Sequence, residues 1–339
     1  MALRRRGPLV TTASPTRQRF AVFAHFDPDG EVAPHVRRAI VALAEFAQRL
    51  VVVSTAPLTA GSREWLRTQA ELVERANSGH DFASYRAGLE LFDGDADQLI
   101  LMNDSAVVPL WSLTGIFAEM DSRHRDMWGL TPGYGFDRHI QSYFLVFERP
   151  AFESPVFREF WVSMPDTISR TEVIVGHEVG LSTIMRSAGF QLDTYFLPTI
   201  RDLIRGAARA HAAELDGAWR ERRWRNVAGW YRRFPGRVRH PEWNPAVALA
   251  DTALRRPHVL PAIKLSTLRD DAYHLGAPAL LGALERHQPK HFVGVEDYLN
   301  RTDIAYGGRW AVTVNSRSDR AHYNTHSPNG IRVSGRASG

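Results

Sequence analysis

The feature that most constrains this chain is a β-α-β pattern near its start. Phe20-Ala-Val-Phe-Ala-His25 is a short apolar run rich in aromatic and β-branched residues. A turn follows at Asp27-Pro-Asp-Gly30. Val36 to Leu50 then carries apolar residues at helical spacing, and Leu50-Val-Val-Val53 is a second apolar run. A strand, a crossover helix and a second strand predict parallel pairing with a right-handed connection.

The alternation continues. Helices are predicted over Ser62–Glu74 and Phe82–Phe92, a strand at Leu99–Met102 and a helix over Leu113–Met120. Strands follow at Met127–Leu130 and Gln141–Phe147, then helices over Phe152–Trp161 and Val179–Ser187. The fold class expected is α/β, a Rossmann-type sandwich with a mainly parallel sheet. Ile200 to Trp230 reads as a basic helical region, and a short helix is expected near Val247–Leu254. Ligands of such sheets bind beyond the carboxyl ends of the strands. The first residues to consider are therefore His25, Asp27, Ser54, Thr55 and Asn103 to Ser105.

With 339 residues the chain can bury a sizeable core. The absence of cysteine excludes disulfides, thiolate nucleophiles and cysteine-bound zinc. No apolar run approaches the roughly 20 residues that cross a bilayer. Met1 to Arg19 is basic and lacks the apolar segment of a secretory signal, so a cytoplasmic protein is expected. The net charge of +5 is concentrated between Arg201 and His240 without a nucleic-acid recognition motif, and nucleic acid is not an expected partner. The expected organisation is a flexible leader (1–18), a catalytic domain (19–200), a helical or mixed region packing on it (201–313) and a flexible tail (314–339).

Asp-x-Asp turns hold a divalent cation against a donor diphosphate, because hard carboxylate oxygens fix the metal and the metal neutralises the leaving group. The pattern occurs at Asp27-Asp29, Asp93-Asp95 and Asp95-Asp97. The last two precede a strand and belong to the wrong edge of the sheet. Asp27 and Asp29 follow the first strand and are split between turn structure and donor contact. Asp104 follows a buried-looking strand directly, in Asn103-Asp104-Ser105, and is the favoured donor or metal contact. In Asn77-Ser-Gly-His-Asp81, Gly79 permits a tight turn, and Asp81 either caps the next helix or meets a nucleotide. His139, Gln141, Ser142 and Tyr143 crowd the start of an apolar strand and either line a cavity or face solvent. Glu178, after His177, is either a favourable charge on a helix's first turn or a general base.

These segments together resemble the rhamnan synthesis protein F family of glycosyltransferases. The matching stretches are His25-Phe-Asp27, Asn77 to Tyr85 with Gly88-Leu89, and Leu99 to Ser105 with Pro109-Leu110. They continue with Trp128 to Thr131, His139 to Phe147, Phe160-Trp161 and Glu178 to Ser182, with weaker echoes at Asn244-Pro245 and Ile263-Lys264. The resemblance implies a GT-A-like fold. It implies transfer of a deoxyhexose such as rhamnose from dTDP-rhamnose or a similar donor to a glycan or lipid-linked acceptor of a cell-surface polysaccharide. It places Asp104 as the donor and metal aspartate, with Mg or Mn as the cofactor. Asn77, Asp81 and Tyr85 fall on the nucleotide side, with His25, Asp27, Ser54, Asn103 and Ser105 around them. His139, Gln141, Ser142, His177 and Glu178 fall on the acceptor side. The mechanism expected is inversion with Glu178 as base and Asp104 at the departing diphosphate.

The metal turn has one carboxylate instead of two, and His80 and Ala83 stand where a bulkier residue and a glycine are expected. A nucleotidyltransferase and a catalytically silent sugar-binding protein are therefore the rival readings. The basic, tryptophan-rich stretch within 219–240 either packs on the catalytic domain or meets an anionic membrane at the inner face.

Overall fold

The computed structural model describes residues 17–134, 137–165, 173–220, 243–256 and 258–306. Its centre is a seven-stranded sheet. Strands β1 (Arg19–His25), β2 (Arg49–Ser54), β3 (Glu71–Glu74) and β4 (Gln98–Asn103) are parallel, in the order β3-β2-β1-β4. Next to β4 lies β9 (Phe144–Glu148), antiparallel to it, then β6 (Met127–Gly129) and β10 (Leu192–Thr194). Between them in sequence are the short ladders β5 (Ala106–Val107), β7 (Pro132–Gly133) and β8 (His139–Ile140), with β11 (Ile263–Lys264) pairing β5.

Strand pleating divides the core into two layers. On β1, Ala21 and Phe23 face one side while Phe20, Val22 and Ala24 face the other. The first side is covered by α1 (Pro34–Phe46) and α4 (Leu113–Arg123). The second is covered by α3 (His80–Leu89), α6 (Pro155–Ser163) and α7 (Gly180–Ser187). Both faces of the parallel strands are buried, which is why they read as unbroken apolar runs. Smaller helices are α2 (Ala60–Gln69) and α5 (Arg149–Phe152). The chain continues through α8 (Ile200–Arg220), α9 (Pro245–Ala248), α10 (Thr252–Arg255) and α11 (Leu265–Asp270). It ends in α12 (Ala277–His287), α13 (Pro289–Phe292) and α14 (Val295–Arg301).

The C-terminal helices share the first core layer: Ala246, Leu249, Leu268, Leu284 and Leu299 join Phe23, Ile100 and Met102 in it. Gly206 on α8 lies against the ring of Trp243, and that ring stacks on Tyr134 with centroids 4.8 Å apart. The fork of Arg209 grips Asp251 at 2.8 and 2.9 Å. Among the described residues no helix is long and apolar enough to cross a membrane. The tail 314–339, nearly all of the leader and residues 221–240 of the basic stretch lie outside the described residues.

Three sequence expectations change. The helix expected over Ser62–Glu74 stops at Gln69, because Ala70 turns to an extended conformation and Glu71–Glu74 gain a parallel ladder with β2. The strand expected from Gln141 begins only at Phe144, since the N–H groups of Gln141 and Ser142 leave the ladder for the carbonyl of Thr131 and the carboxylate of Glu178. The helix expected from Val179 is preceded by a wide π-turn, Val173–Val179, that carries His177 and Glu178.

Two buried histidines under the β1–α1 corner generate a prediction. His25 is held down to about 4 and His35 to about 3, in both cases chiefly by burial. Among the described residues neither ring nitrogen of His35 has a hydrogen-bond partner, and its ring meets Tyr298 at 4.8 Å. The unfolded chain takes up protons near pH 6.5 that the folded one refuses. Stability is thus fully present above pH 6.5 and is lost as pH falls towards 4 and 3. Each histidine adds a slope of about 1.4 kcal/mol per pH unit in that window. His35→Phe should remove one such share from urea-unfolding free energies measured between pH 6 and 4.5. An unchanged slope would refute the assignment.

Candidate active site

At the carboxyl end of β4, pleating sends neighbouring side chains to opposite layers. Leu99 and Leu101 belong to the second core layer, and Asn103 continues on that side. Its amide donates to Asp81 Oδ2 at 2.7 Å, and its Oδ1 accepts from the N–H and hydroxyl of Ser105 at 3.1 and 2.7 Å. Asp104 turns to the other side, where its Oδ2 accepts from the N–H of Phe26 at 2.6 Å. Burial pushes the Asp104 carboxyl well above the ordinary range, and the nearby charge of Asp81 adds to this.

Capping α3 was one of the two readings of Asp81. Gly79 takes that place instead, in a left-handed conformation (φ 64°) that excludes a side chain because a Cβ there would meet Ala83. Asp81 stands in the first turn, which leaves its carboxylate for Asn103. Asn77 lies exposed in the loop before α3.

One turn further along α3, Tyr85 is wholly buried. Its hydroxyl donates to the carbonyl of Ser142 at 2.9 Å. Burial holds the phenol well above its usual pKa, reinforced by Asp81, Asp104 and Glu178, so it remains a neutral donor surrounded by carboxylates. The N–H of Ser142 in turn donates to Glu178 Oε1 at 2.7 Å. His139 Nε2 lies 4.0 Å from the same oxygen. That nitrogen accepts from the Gln141 amide at 2.8 Å, so Nδ1 carries the proton and donates to the Asp137 carbonyl at 2.8 Å. Asn244, the cap of α9, donates to Gln141 Oε1. Gly133 lies against His139 and Gln141, and a methyl there would run into both. His177 is buried with its ring against Phe82, centroids 5.3 Å apart. The Asn103 side chain also bonds to the Tyr85 hydroxyl, so the structure joins Asp81, Asn103, Tyr85, Ser142, Glu178, His139 and Gln141 in one chain of contacts.

The remaining expected residues sit in a separate cluster. The carbonyl of Glu31 must accept from His25 Nε2 at 3.3 Å, so His25 Nδ1 is the acceptor for the Ser54 hydroxyl at 3.0 Å. Ser54 Oγ also receives the N–H of Ala56 at 3.2 Å. Both side chains are buried and fully occupied with each other and the backbone. Asp27 is buried too, and Arg301 of α14 grips it through Nη1 at 2.8 Å and Nη2 at 2.6 Å. Burial raises the carboxyl, but the Arg301 fork and the N–H groups of Asp29 and Glu31 outweigh it and hold Asp27 below the usual range. Asp29 also pairs with Arg301. At the opposite edge, Asp93 pairs with Arg49 and Asp97 with Arg149.

Sequence reasoning missed the cations and tyrosines brought by the C-terminal helices. Lys264 stands opposite Ala106 in the β11–β5 ladder, and its Nζ lies 5.5 Å from the centre of the Tyr143 ring. The N–H of Leu265 donates to the carbonyl of Ser105 at 3.0 Å, which docks this segment on the Asp104 turn. Tyr298 and Tyr306 are raised in pKa by burial, Tyr306 to about 12, with Asp104 contributing to both and Arg269 opposing. The echo at Ile263-Lys264 was a signal for Lys264; Arg269, Tyr298, Arg301 and Tyr306 had none.

A divalent cation is tested by the donor set. Asp104 and Asp81 are two carboxylates whose mutual repulsion a cation would relieve, but among the described residues no group of three or more His, Asp or Glu gathers at one point. Asp104 would hold a cation only with most ligands coming from the substrate and water.

The family model described as rhamnan synthesis protein F matches residues 50–211. The uncharacterized protein y4gN of Sinorhizobium fredii is 25% identical over 157 residues, 44% of this chain and 41% of that protein. Virulence protein VirA of Vibrio anguillarum is 28% identical over 126 residues, 35% of this chain and 40% of that one. The chain therefore spans about two fifths of the length of these curated relatives. Among solved structures, a 4-diphosphocytidyl-2C-methyl-D-erythritol synthase aligns with TM-score 0.33 and 15% identity, over 56% of this chain and 92% of that one. S. aureus TarS 1–349 aligns with TM-score 0.30 and 13% identity, over 40% and 48%. Across residues 50–211, the stretch that holds Asn77, Asp81, Tyr85, Asp104, His139 and Glu178, this chain matches the rhamnan synthesis protein F family.

Proposed function

We propose that this protein is a glycosyltransferase that moves a sugar from a nucleotide-sugar to a hydroxyl of a glycan, with inversion at the anomeric carbon. The observation that carries the reading is the path from the Asp104 turn through Tyr85 and Ser142 to Glu178. It sets two carboxyl groups of different character on one rim of the sheet. Asp104 is buried beside the β1 loop, on the donor side. Glu178 keeps one oxygen on a backbone N–H and has the other for an incoming hydroxyl. The family match over this stretch supports a donor of the rhamnose type, dTDP-rhamnose or a related deoxyhexose nucleotide. A lipid-linked glycan is the acceptor class that follows, with the protein working at the inner membrane face.

In the proposed reaction the acceptor hydroxyl forms a bond to the anomeric carbon as the bond from that carbon to the diphosphate breaks. Glu178 takes the hydroxyl proton. The departing nucleoside diphosphate leaves with the bonding pair, and its charge must be met by fixed cations and N–H groups. Mg or Mn held by Asp104 would supply further positive charge there. The anchor to the Ser142 N–H holds the Glu178 carboxylate in place, and His139, fixed by Gln141 and Asn244, lies beside it.

Glu178→Gln should abolish transfer, a loss of roughly a hundredfold or more, while the affinity for dTDP is retained in calorimetry. Transfer near the native rate would rule out Glu178 as base; a wild type that binds no nucleotide-sugar would favour a silent sugar-binding protein. Tyr85→Phe leaves the Ser142 carbonyl without its donor and should cost about 1–3 kcal/mol of stability. It should also lower kcat more than it raises KM, because it loosens the segment that positions Glu178. Equal changes in kcat and KM would count against that positioning role.

A further inference from the structure

The buried guanidinium of Arg269 is the group that neither the fold nor the proposed chemistry yet explains. It is 6% exposed. Nη2 donates to the Thr302 hydroxyl at 2.8 Å, and that hydroxyl in turn donates to the Tyr298 carbonyl at 2.7 Å. Nη1 is shielded from solvent and has no hydrogen-bond partner among the described residues. Among the described residues no carboxylate lies within ion-pair distance of it. Two rings flank it instead: its Cζ lies 4.4 Å from the centre of Tyr306 and 5.7 Å from that of Tyr298. A buried cation with an unmet donor is costly, and native structures keep such groups where an anion will meet them.

The position of Arg269 says which anion. It lies on α11, directly after the β11 strand that pairs with β5 beside the Asp104 turn, and the start of α11 is tied to Ser105 by the Leu265 N–H. The tyrosines packed on Arg269 are the same two that feel the charge of Asp104. Across the rim, Arg301 is consumed by Asp27 and Asp29. Arg269 has no such carboxylate, and its planar fork suits two phosphate oxygens at once.

We propose that Arg269 is a diphosphate-binding residue, holding the leaving pyrophosphate group of the nucleotide-sugar through its unpartnered Nη1. This rests on the reading of the site as a nucleotide-sugar site and adds a cation to it that acts with or without a metal. Tyr306, the partly exposed ring over the guanidinium, is the group that turns aside as the anion enters.

The test is calorimetry on the full chain with inorganic pyrophosphate and with dTDP, in EDTA and again with Mn. The wild type should bind both in EDTA. Arg269→Met should abolish pyrophosphate binding, and Arg269→Lys, which keeps charge and stem but loses the fork, should weaken it roughly tenfold or more. Tyr306→Leu removes a stacking ring and no charge, and should bind at least as tightly as the wild type. If Arg269→Met does not fold, Arg269→Lys decides. Wild-type affinity in the Arg269 variants would overturn the inference while leaving the site's reading intact. Equal weakening in Tyr306→Leu and Arg269→Lys would overturn it too, by showing that Arg269 only supports the rings. A wild type that binds neither pyrophosphate nor dTDP with or without Mn would defeat the inference and the proposed function together.

Discussion

The site depends on the pleat at the end of β4. Asn103 and Asp104 are neighbours in sequence, yet their side chains enter different layers of the sandwich. Asn103 meets α3, which lies on the second core face. Asp104 meets the β1 loop and the region of the C-terminal helices on the first. Period-two alternation in a buried parallel strand is hard to alter, because a slip of one residue would exchange every apolar side chain between the two cores. The Asp104 turn inherits that rigidity.

The two arms that start there are built differently. On the α3 side the contacts are hydrogen bonds from uncharged donors inside the protein: amide to carboxylate, phenol to carbonyl, N–H to carboxylate. In a region of low dielectric such a run is strong only if every member is satisfied. Tyr85 is the member that ties α3 to the segment before β9, and its raised pKa keeps it a donor. On the opposite side charge dominates. Arg301 neutralises Asp27 and fixes the β1–α1 turn from 274 residues away, which ties the end of the described chain to its beginning. Asp27 is shielded while Arg301 stays partly in solvent, and the pair makes α14 part of the site's frame.

Much of this was legible in the sequence, and the limits have physical reasons. The apolar runs at β1, β2 and β4 forecast a parallel sheet because strands buried on both faces carry no polar alternation to confuse the reading. Asp104 was found because it directly follows such a run. The Glu71–Glu74 strand was hidden because its residues fit a helix equally well, and only the open edge of β2 decides between them. Asp81 looked like a cap because the left-handed Gly79 cannot be told from any other turn glycine before φ is known. Arg269 and Arg301 were invisible for another reason. A lone arginine on a short helix looks like any solvated residue until its tertiary partners are known: Arg301 pairs with Asp27 from the far end of the described chain, and Arg269 is buried by Thr302, Tyr298 and Tyr306.

The single carboxylate of the Asn-Asp-Ser turn makes sense in this geometry. Positions 103 and 105 have the spacing of an Asp-x-Asp pair, but here they are an amide and a hydroxyl that bond to each other. The negative charge that such a pair would concentrate on one face is divided: Asp81 brings one carboxylate from α3, and Asp104 presents the other on the opposite side of the strand. Dividing it lowers the repulsion between them, although the upward push on Asp104 shows that some remains. It also weakens any purely carboxylate grip on a metal. A diphosphate placed beside this turn would then need positive charge from elsewhere, and the segment that reaches it is Ile263–Asp270, which carries Lys264 and Arg269. The C-terminal layer thus does more than cover the sheet: it supplies cations that the turn itself does not have.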